Sequence, residues 1–320
     1  MLSNKTYLKI LFGIIATILM ATIAYTSYFA SKYPIPLTSR ISLDAKFKFV
    51  REHINADEVD TLIIGSSLAL DNIQGEYLEK SSKKINSVLN LSANGATTLQ
   101  AEQLMSMSDA FPNLKRIIYS TQYSDFPHRR KKYIDFKPKL FMKYMRDELN
   151  ILEYTFLNLK ACRDISFCFD RQKKWAEEHE QDNLFSYLGF DSTGSVSLNI
   201  YDDDIIGHRW RKPHPGIMAP ESFQALDRMS HRANAKGIKF YLVQQPYREG
   251  LAKRSKVRSA LAHFANRCKP IVEQHDGVFI SLHDRLGLSD DYFADRSHLN
   301  DKGSMVGSKF LGELIDKIEK

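Results

Sequence analysis

Five short apolar runs, each closing on a polar turn and spaced by helical patterns, constrain this chain more than any other feature. They occupy residues 61–64, 85–91, 116–121, 239–244 and 277–282. Runs of this length, rich in β-branched residues and bounded by Gly, Asn or Pro, read as buried strands. Helical spacing fills residues 99–110, 221–235 and 255–274, and 301–318 after the last strand. Strands alternating with helices of that length build βαβ units and a parallel sheet. The expectation is therefore an α/β chain. Its core is a doubly wound three-layer α/β/α sandwich around a mostly parallel five-stranded sheet, with ligands at the strands' carboxyl ends.

The rhythm is interrupted twice. Residues 10–30 form a 21-residue stretch without a charge, which as a helix spans about 31 Å and matches a bilayer core. Its small residues Ala21, Thr22 and Ala24 lie inside the stretch and not after it. That argues for an uncleaved transmembrane signal-anchor over a cleaved leader. Lys5 and Lys9 precede the span while Lys32, Arg40, Lys46 and Lys48 follow it, so the count of positive charges does not orient it. Residues 1–9 are expected in the cytoplasm, 31–55 as a Pro34- and Pro36-containing linker and lead-in helix, and 56–320 as the α/β domain with its insertion.

The second interruption, at about 126–220, is expected to be a helical insertion over the sheet's carboxyl edge, with helices near 140–159 and 171–180. It opens on the basic run His128 to Lys132, extended by Lys137 and Lys139. It also holds Asp202, Asp203 and Asp204 with His208 and His214, which lack a convergent ligand spacing and read as loop residues, so no metal is expected. The chain's net charge of +7 favours anionic partners such as a membrane surface or an acidic polymer. No zinc-finger spacing or RNP-like aromatic motif makes it a nucleic-acid binder. Of the three cysteines, Cys162 and Cys168 are near enough in sequence to pair if the domain sits in an oxidising compartment, and two half-buried thiols in a helical segment are the favoured reading.

Chemistry concentrates at two places. The first strand stops at Gly65-Ser66-Ser67, where a strand-to-helix turn exposes a hydroxyl beside a helix N-terminus; both suit a nucleophile whose attack generates an oxyanion. Near the other end, Asp295 precedes His298 by three residues. An aspartate so placed holds the imidazole Nδ1–H and leaves the other nitrogen for a nucleophile.

Gly65-Ser66-Ser67-Leu68 resembles the GDSL motif with serine in place of aspartate. Asn90 through Thr98, containing Asn94-Gly95, resembles that family's second block. Asp295-x-x-His298-Leu299-Asn300-x-x-Gly303 resembles its fifth. The chain thus resembles the SGNH/GDSL hydrolase superfamily over about residues 60–318 without the insertion, and that resemblance implies a flavodoxin-like SGNH fold. It implies Ser67 as nucleophile, His298 as general base and Asp295 as its orienter, with the Ser67 and Gly95 N–H groups as oxyanion donors. The third block departs from the pattern. Where the family has Gly-x-Asn-Asp, this chain has Gln122-Tyr123-Ser124-Asp125, which puts Ser124 at the position of the third oxyanion donor.

With its single span and insertion, the chain is similar to membrane-anchored polysaccharide O-acetyltransferases, the alginate O-acetyltransferase-like and DltD-like proteins. The function so implied is O-acetylation of an extracytoplasmic polysaccharide or envelope glycan, without a cofactor of its own, with the acyl group relayed by a membrane-bound O-acyltransferase partner. The cell membrane, with the domain in the periplasm, is the implied location. A membrane-anchored esterase or deacetylase, and a non-catalytic scaffold of an envelope assembly complex, are the alternatives.

Overall fold

The computed structural model describes residues 3–38, 40–126, 138–161, 165–178, 187–201 and 216–320. The basic run 128–132, Lys137, the aspartates 202–204, His208, His214 and Cys162 lie outside the described residues. Cys168 is disulfide-bonded and Cys268 is a buried free thiol.

Five parallel strands form one sheet in the order β2-β1-β3-β4-β5. They are β1 (Thr61–Gly65), β2 (Val88–Asn90), β3 (Arg116–Thr121), β4 (Lys239–Gln244) and β5 (Val278–Ser281). Side chains alternate faces along a strand, so each strand feeds two cores. Leu62, Ile64, Ile117, Tyr119, Phe240 and Leu242 enter one, and Ile63, Ile118, Tyr241, Val243 and Ile280 enter the other. Helices α2 (Ile41–His53), α5 (Thr98–Met105), α9 (Pro220–Ala235) and α11 (Ser255–Glu273) supply the first core. Helices α3 (Ser67–Asn72), α4 (Gly75–Ser81) and α13 (Asp301–Ile318) cover the second. The three layers follow from this two-sided burial. The order reverses between β1 and β3, where Gly65 pairs with Ser120, and this switch point opens a crevice at the strands' carboxyl ends.

The N-terminal helix α1 (Asn4–Lys32) is long and apolar enough to cross a membrane over Asn4–Tyr28. The segment after it is not a free tether: Ile35 and Leu37 are buried in the first core with Phe47 and Val50 of α2. Within the insertion, the single helix expected over 140–159 is two, α6 (Pro138–Met145) and α7 (Ile151–Ala161). Asp147 takes a left-handed φ of 58° and the Glu148 N–H closes the turn onto the Lys143 carbonyl at 2.8 Å. Asn150 then restarts the chain, its Oδ1 accepting from the Leu152 and Glu153 N–H groups at 3.0 Å each. Helix α8 (Ile165–Glu178) begins earlier than the 171–180 expected for it.

Candidate active site

β1 delivers the chain to the crevice and Gly65 turns it sharply. Ser66 is the N-cap of α3, its Oγ accepting from the Leu68 N–H at 3.2 Å. That cap leaves Ser67 as the first helical residue with its hydroxyl facing the crevice. From the other end of the chain, the loop between β5 and α13 brings His298 alongside. His298 Nε2 lies 2.8 Å from Ser67 Oγ, although the two residues are 231 positions apart in sequence.

The imidazole is oriented from behind. Asp295 Oδ2 lies 2.8 Å from His298 Nδ1, while its Oδ1 accepts the backbone N–H groups of Ser297 at 2.9 Å and His298 at 2.7 Å. This aspartate is thereby pinned on both oxygens. The loop itself is held to α3 by Asn72, which no motif had singled out. Its Oδ1 accepts from the Leu299 N–H at 2.8 Å and its Nδ2 donates to the Ser297 carbonyl at 2.9 Å. Asn72 thus fixes the base relative to the helix that carries the hydroxyl.

Two further carboxylates surround the imidazole. Asp71, one turn along α3 from Ser67, is buried and sits 3.9 Å from His298 Nε2. Asp125, beside Ser124, accepts from Ser66 Oγ at 2.7 Å and from Thr121 Oγ1 at 3.1 Å. Ser124 lies in the same short 3-10 turn at the end of β3; the side chain that reaches the serine turn from this strand end is that of Asp125. Gly95 adopts a left-handed φ of 66°. Among the described residues, no acceptor engages the Ser67 or Gly95 N–H.

Burial would lower the His298 pKa, but the Asp295 carboxylate and its hydrogen bond, then Asp71 and Asp125, overcome it and push the value up to about 9. Asp295 feels burial in the opposite sense, yet the adjacent imidazolium and its hydrogen bonds hold it well below the usual carboxylate range. Burial pushes Asp71 up to about 7 and Asp125 up to about 6, partly offset by His298 for the first and by the Ser66 and Thr121 hydroxyls for the second. The constellation therefore favours a positive imidazole, the species that a transfer of the Ser67 proton to His298 would create.

This gives a testable sign. Were His298 to act as a base towards Ser67 it would have to be neutral, so the acid limb of kcat/KM on an ester would report the His298 pKa of about 9 and turnover would rise from pH 7 towards 9. Asp71→Asn removes a negative charge that favours the imidazolium. The limb should move to lower pH, read on a small chromogenic ester; a limb that stays put or moves up contradicts this role for Asp71.

Beyond the Gly95 turn lies a cavity of about 310 Å³, lined in part by Arg40, Asn94, Phe167, Arg171, Lys174 and Tyr187. Arg40 joins it to the site: Nη2 donates to the Asn94 carbonyl, and Nη1 donates to Gln100 at 2.8 Å. Arg171 is nine-tenths buried and paired at 2.8 Å with the buried Asp44 of α2. Its Nη1 has no hydrogen-bond partner among the described residues.

No protein-family model matches the chain, and no curated protein matches it.

Proposed function

We propose that this chain is a membrane-tethered serine acyltransferase of the SGNH type. In this reading it moves an acyl group, acetyl being the simplest, onto a hydroxyl of an extracytoplasmic polysaccharide or envelope glycan. The observation that carries the reading is the relay Ser67–His298–Asp295, hydrogen-bonded at 2.8 Å on each side of the imidazole.

Ser67 Oγ attacks the carbonyl carbon of the acyl donor as His298 Nε2 takes its proton. The oxyanion of the tetrahedral intermediate is met by the Ser67 and Gly95 N–H groups, with Ser124 as the third donor of the resemblance; one such donor is typically worth about 3 kcal/mol. Collapse expels the donor's leaving group, which recovers the proton from His298, and leaves an acyl-serine. The acceptor hydroxyl then attacks that ester, giving its proton to His298; collapse breaks the acyl–Ser67 bond, Ser67 Oγ recovers the proton from His298, and the acylated acceptor departs.

One feature favours a glycan acceptor over water, and a second the compartment. The cavity behind the Gly95 turn offers aromatic faces from Phe167 and Tyr187 beside the cations of Arg40, Arg171 and Lys174, a lining suited to an anionic sugar. The Cys168 disulfide fits an oxidising compartment, with residues 1–9 left in the cytoplasm and the domain outside. Acyl-CoA does not reach that compartment, so the donor is relayed by a membrane-bound O-acyltransferase.

The test has two stages. A fluorophosphonate probe should label the wild type and leave Ser67→Ala unlabelled, with ester turnover reduced by at least about 10⁴-fold. Absence of labelling in wild type would favour a scaffold. Acetyl from a chromogenic ester should then pass to added oligosaccharide; hydrolysis indifferent to every glycan would favour the esterase reading.

A further inference from the structure

α7 has two unlike faces. Inward, Leu157 belongs to the first core and Tyr154 packs against it, with the Tyr154 hydroxyl bonded to Arg51 of α2. Outward, Leu152, Phe156 and Leu159 are exposed by 68%, 68% and 51%, joined by Ile151 at 47%. Spacings of four and three residues place the first three on one stripe of the helix. A large apolar stripe presented by a rigidly held helix marks a surface that meets something other than water.

Its position says what. α7 packs against α1, and among the described residues of α1 Thr22, Ile23 and Thr26 lose exposure, with Thr26 fully buried. Those residues lie about 6–12 Å short of the end of the uncharged stretch at Ala30, at 1.5 Å per residue. An apolar helix face in the membrane interface sits about 5–10 Å into the headgroup and acyl boundary. The two depths agree.

We infer that α7 is an interfacial membrane element, its Leu152–Phe156–Leu159 stripe seated among lipid acyl chains beside α1. Several polar groups of the helix have protein partners, as that environment favours. Asn150 caps its first N–H groups. The Thr155 hydroxyl donates to the Ile151 carbonyl at 2.7 Å. Glu153 is paired with Lys143 at 2.6 Å. The catalytic domain is then fixed to the bilayer at two points and does not swing on a single tether.

The test uses the full chain in nanodiscs of phosphatidylethanolamine and phosphatidylglycerol, with bimane on Leu152→Cys or Phe156→Cys. Ile18→Cys on α1 and the exposed Glu313→Cys on α13 are the references. Lipids carrying a doxyl quencher at a shallow carbon should quench both α7 labels at least about threefold more than the Glu313 label. Ile18 should respond most to the deep quencher. Water-like emission at 152 and 156, quenched by aqueous iodide as at 313, overturns the inference. So does blue-shifted emission reached by neither quencher, which would mean that a second copy or a protein partner covers the stripe. An Ile18 label outside the bilayer overturns it as well, because the inference needs α1 in the membrane.

Discussion

Asp295→Asn is expected to keep the fold and lose about 10⁴-fold in kcat on a small ester, with KM little changed, by the logic of tautomer control in serine–histidine catalysis. The two oxygens of Asp295 do different work. Oδ1 anchors the loop through the Ser297 and His298 N–H groups, and Oδ2 faces His298 Nδ1. An asparagine that keeps the anchoring oxygen turns its amide N–H towards Nδ1, which must then accept. The proton is thereby forced onto Nε2, the nitrogen that has to receive the proton of Ser67. Flipping the amide breaks two backbone hydrogen bonds instead. Both outcomes disable the base while leaving Ser67 and the N–H donors in place.

The same substitution moves the pH profile. Asp295 is the strongest of the influences raising His298 to about 9, so its neutralisation drops the acid limb towards the ordinary histidine range. Stability follows with a definite sign. The folded wild type holds the His298 proton more tightly than the unfolded chain. That contribution is complete below about pH 6.5 and is lost as pH climbs through about 9. Urea midpoints across that window should fall for wild type and stay flatter for Asp295→Asn. A variant retaining more than about a tenth of wild-type turnover would mean that another group orients the imidazole.

Much of this arrangement is legible before any coordinates. The strands at 116–121 and 239–244 and the helix at 301–318 stand out because apolar runs and helical periodicity report burial directly. Ser67, Asp295 and His298 are visible because a turn serine and an Asp-x-x-His pattern are local in sequence. What sequence hides is burial of charge. Nothing in the sequence marks Asp71 as buried, yet it lies buried 3.9 Å from His298 Nε2. Nothing in the sequence marks Lys46 as buried either. It is fully buried, donating to the Asn90 carbonyl at 3.0 Å and lying 3.8 Å from the centre of the Phe190 ring. Burial lowers its pKa to about 7. Asp125 is adjacent to the expected oxyanion position, but its contact with Ser66 depends on how β1 and β3 line up. The broken helix at Asp147 escapes periodicity too, since a left-handed aspartate leaves the apolar spacing on either side intact.

Gly65→Ala is the largest structural effect expected from a single methyl group. Gly65 has a φ of 150°, and a Cβ built there would stand 2.4 Å from the Ser120 carbonyl oxygen and 2.7 Å from Ala69 Cβ. The first is backbone of β3 and the second is the start of the helix behind Ser67, so neither can swing aside. Strain of about 1–3 kcal/mol and overpacking of about 1–3 kcal/mol sum to about 4 kcal/mol. That is a large share of a typical domain's stability and lowers the thermal midpoint by about 10 °C. Gly237→Ala supplies the comparison. Gly237 has a φ of 67° with nothing within 4 Å of a Cβ, so it should cost only the left-handed penalty of about 1 kcal/mol. The difference between the two variants isolates crowding at the switch point, where β1 must approach β3 closely enough for Ser66 to reach Asp125 and for Ser67 to reach His298. If Gly65→Ala melts within a degree or two of Gly237→Ala, the close approach of β1 and β3 is not what sets the serine turn.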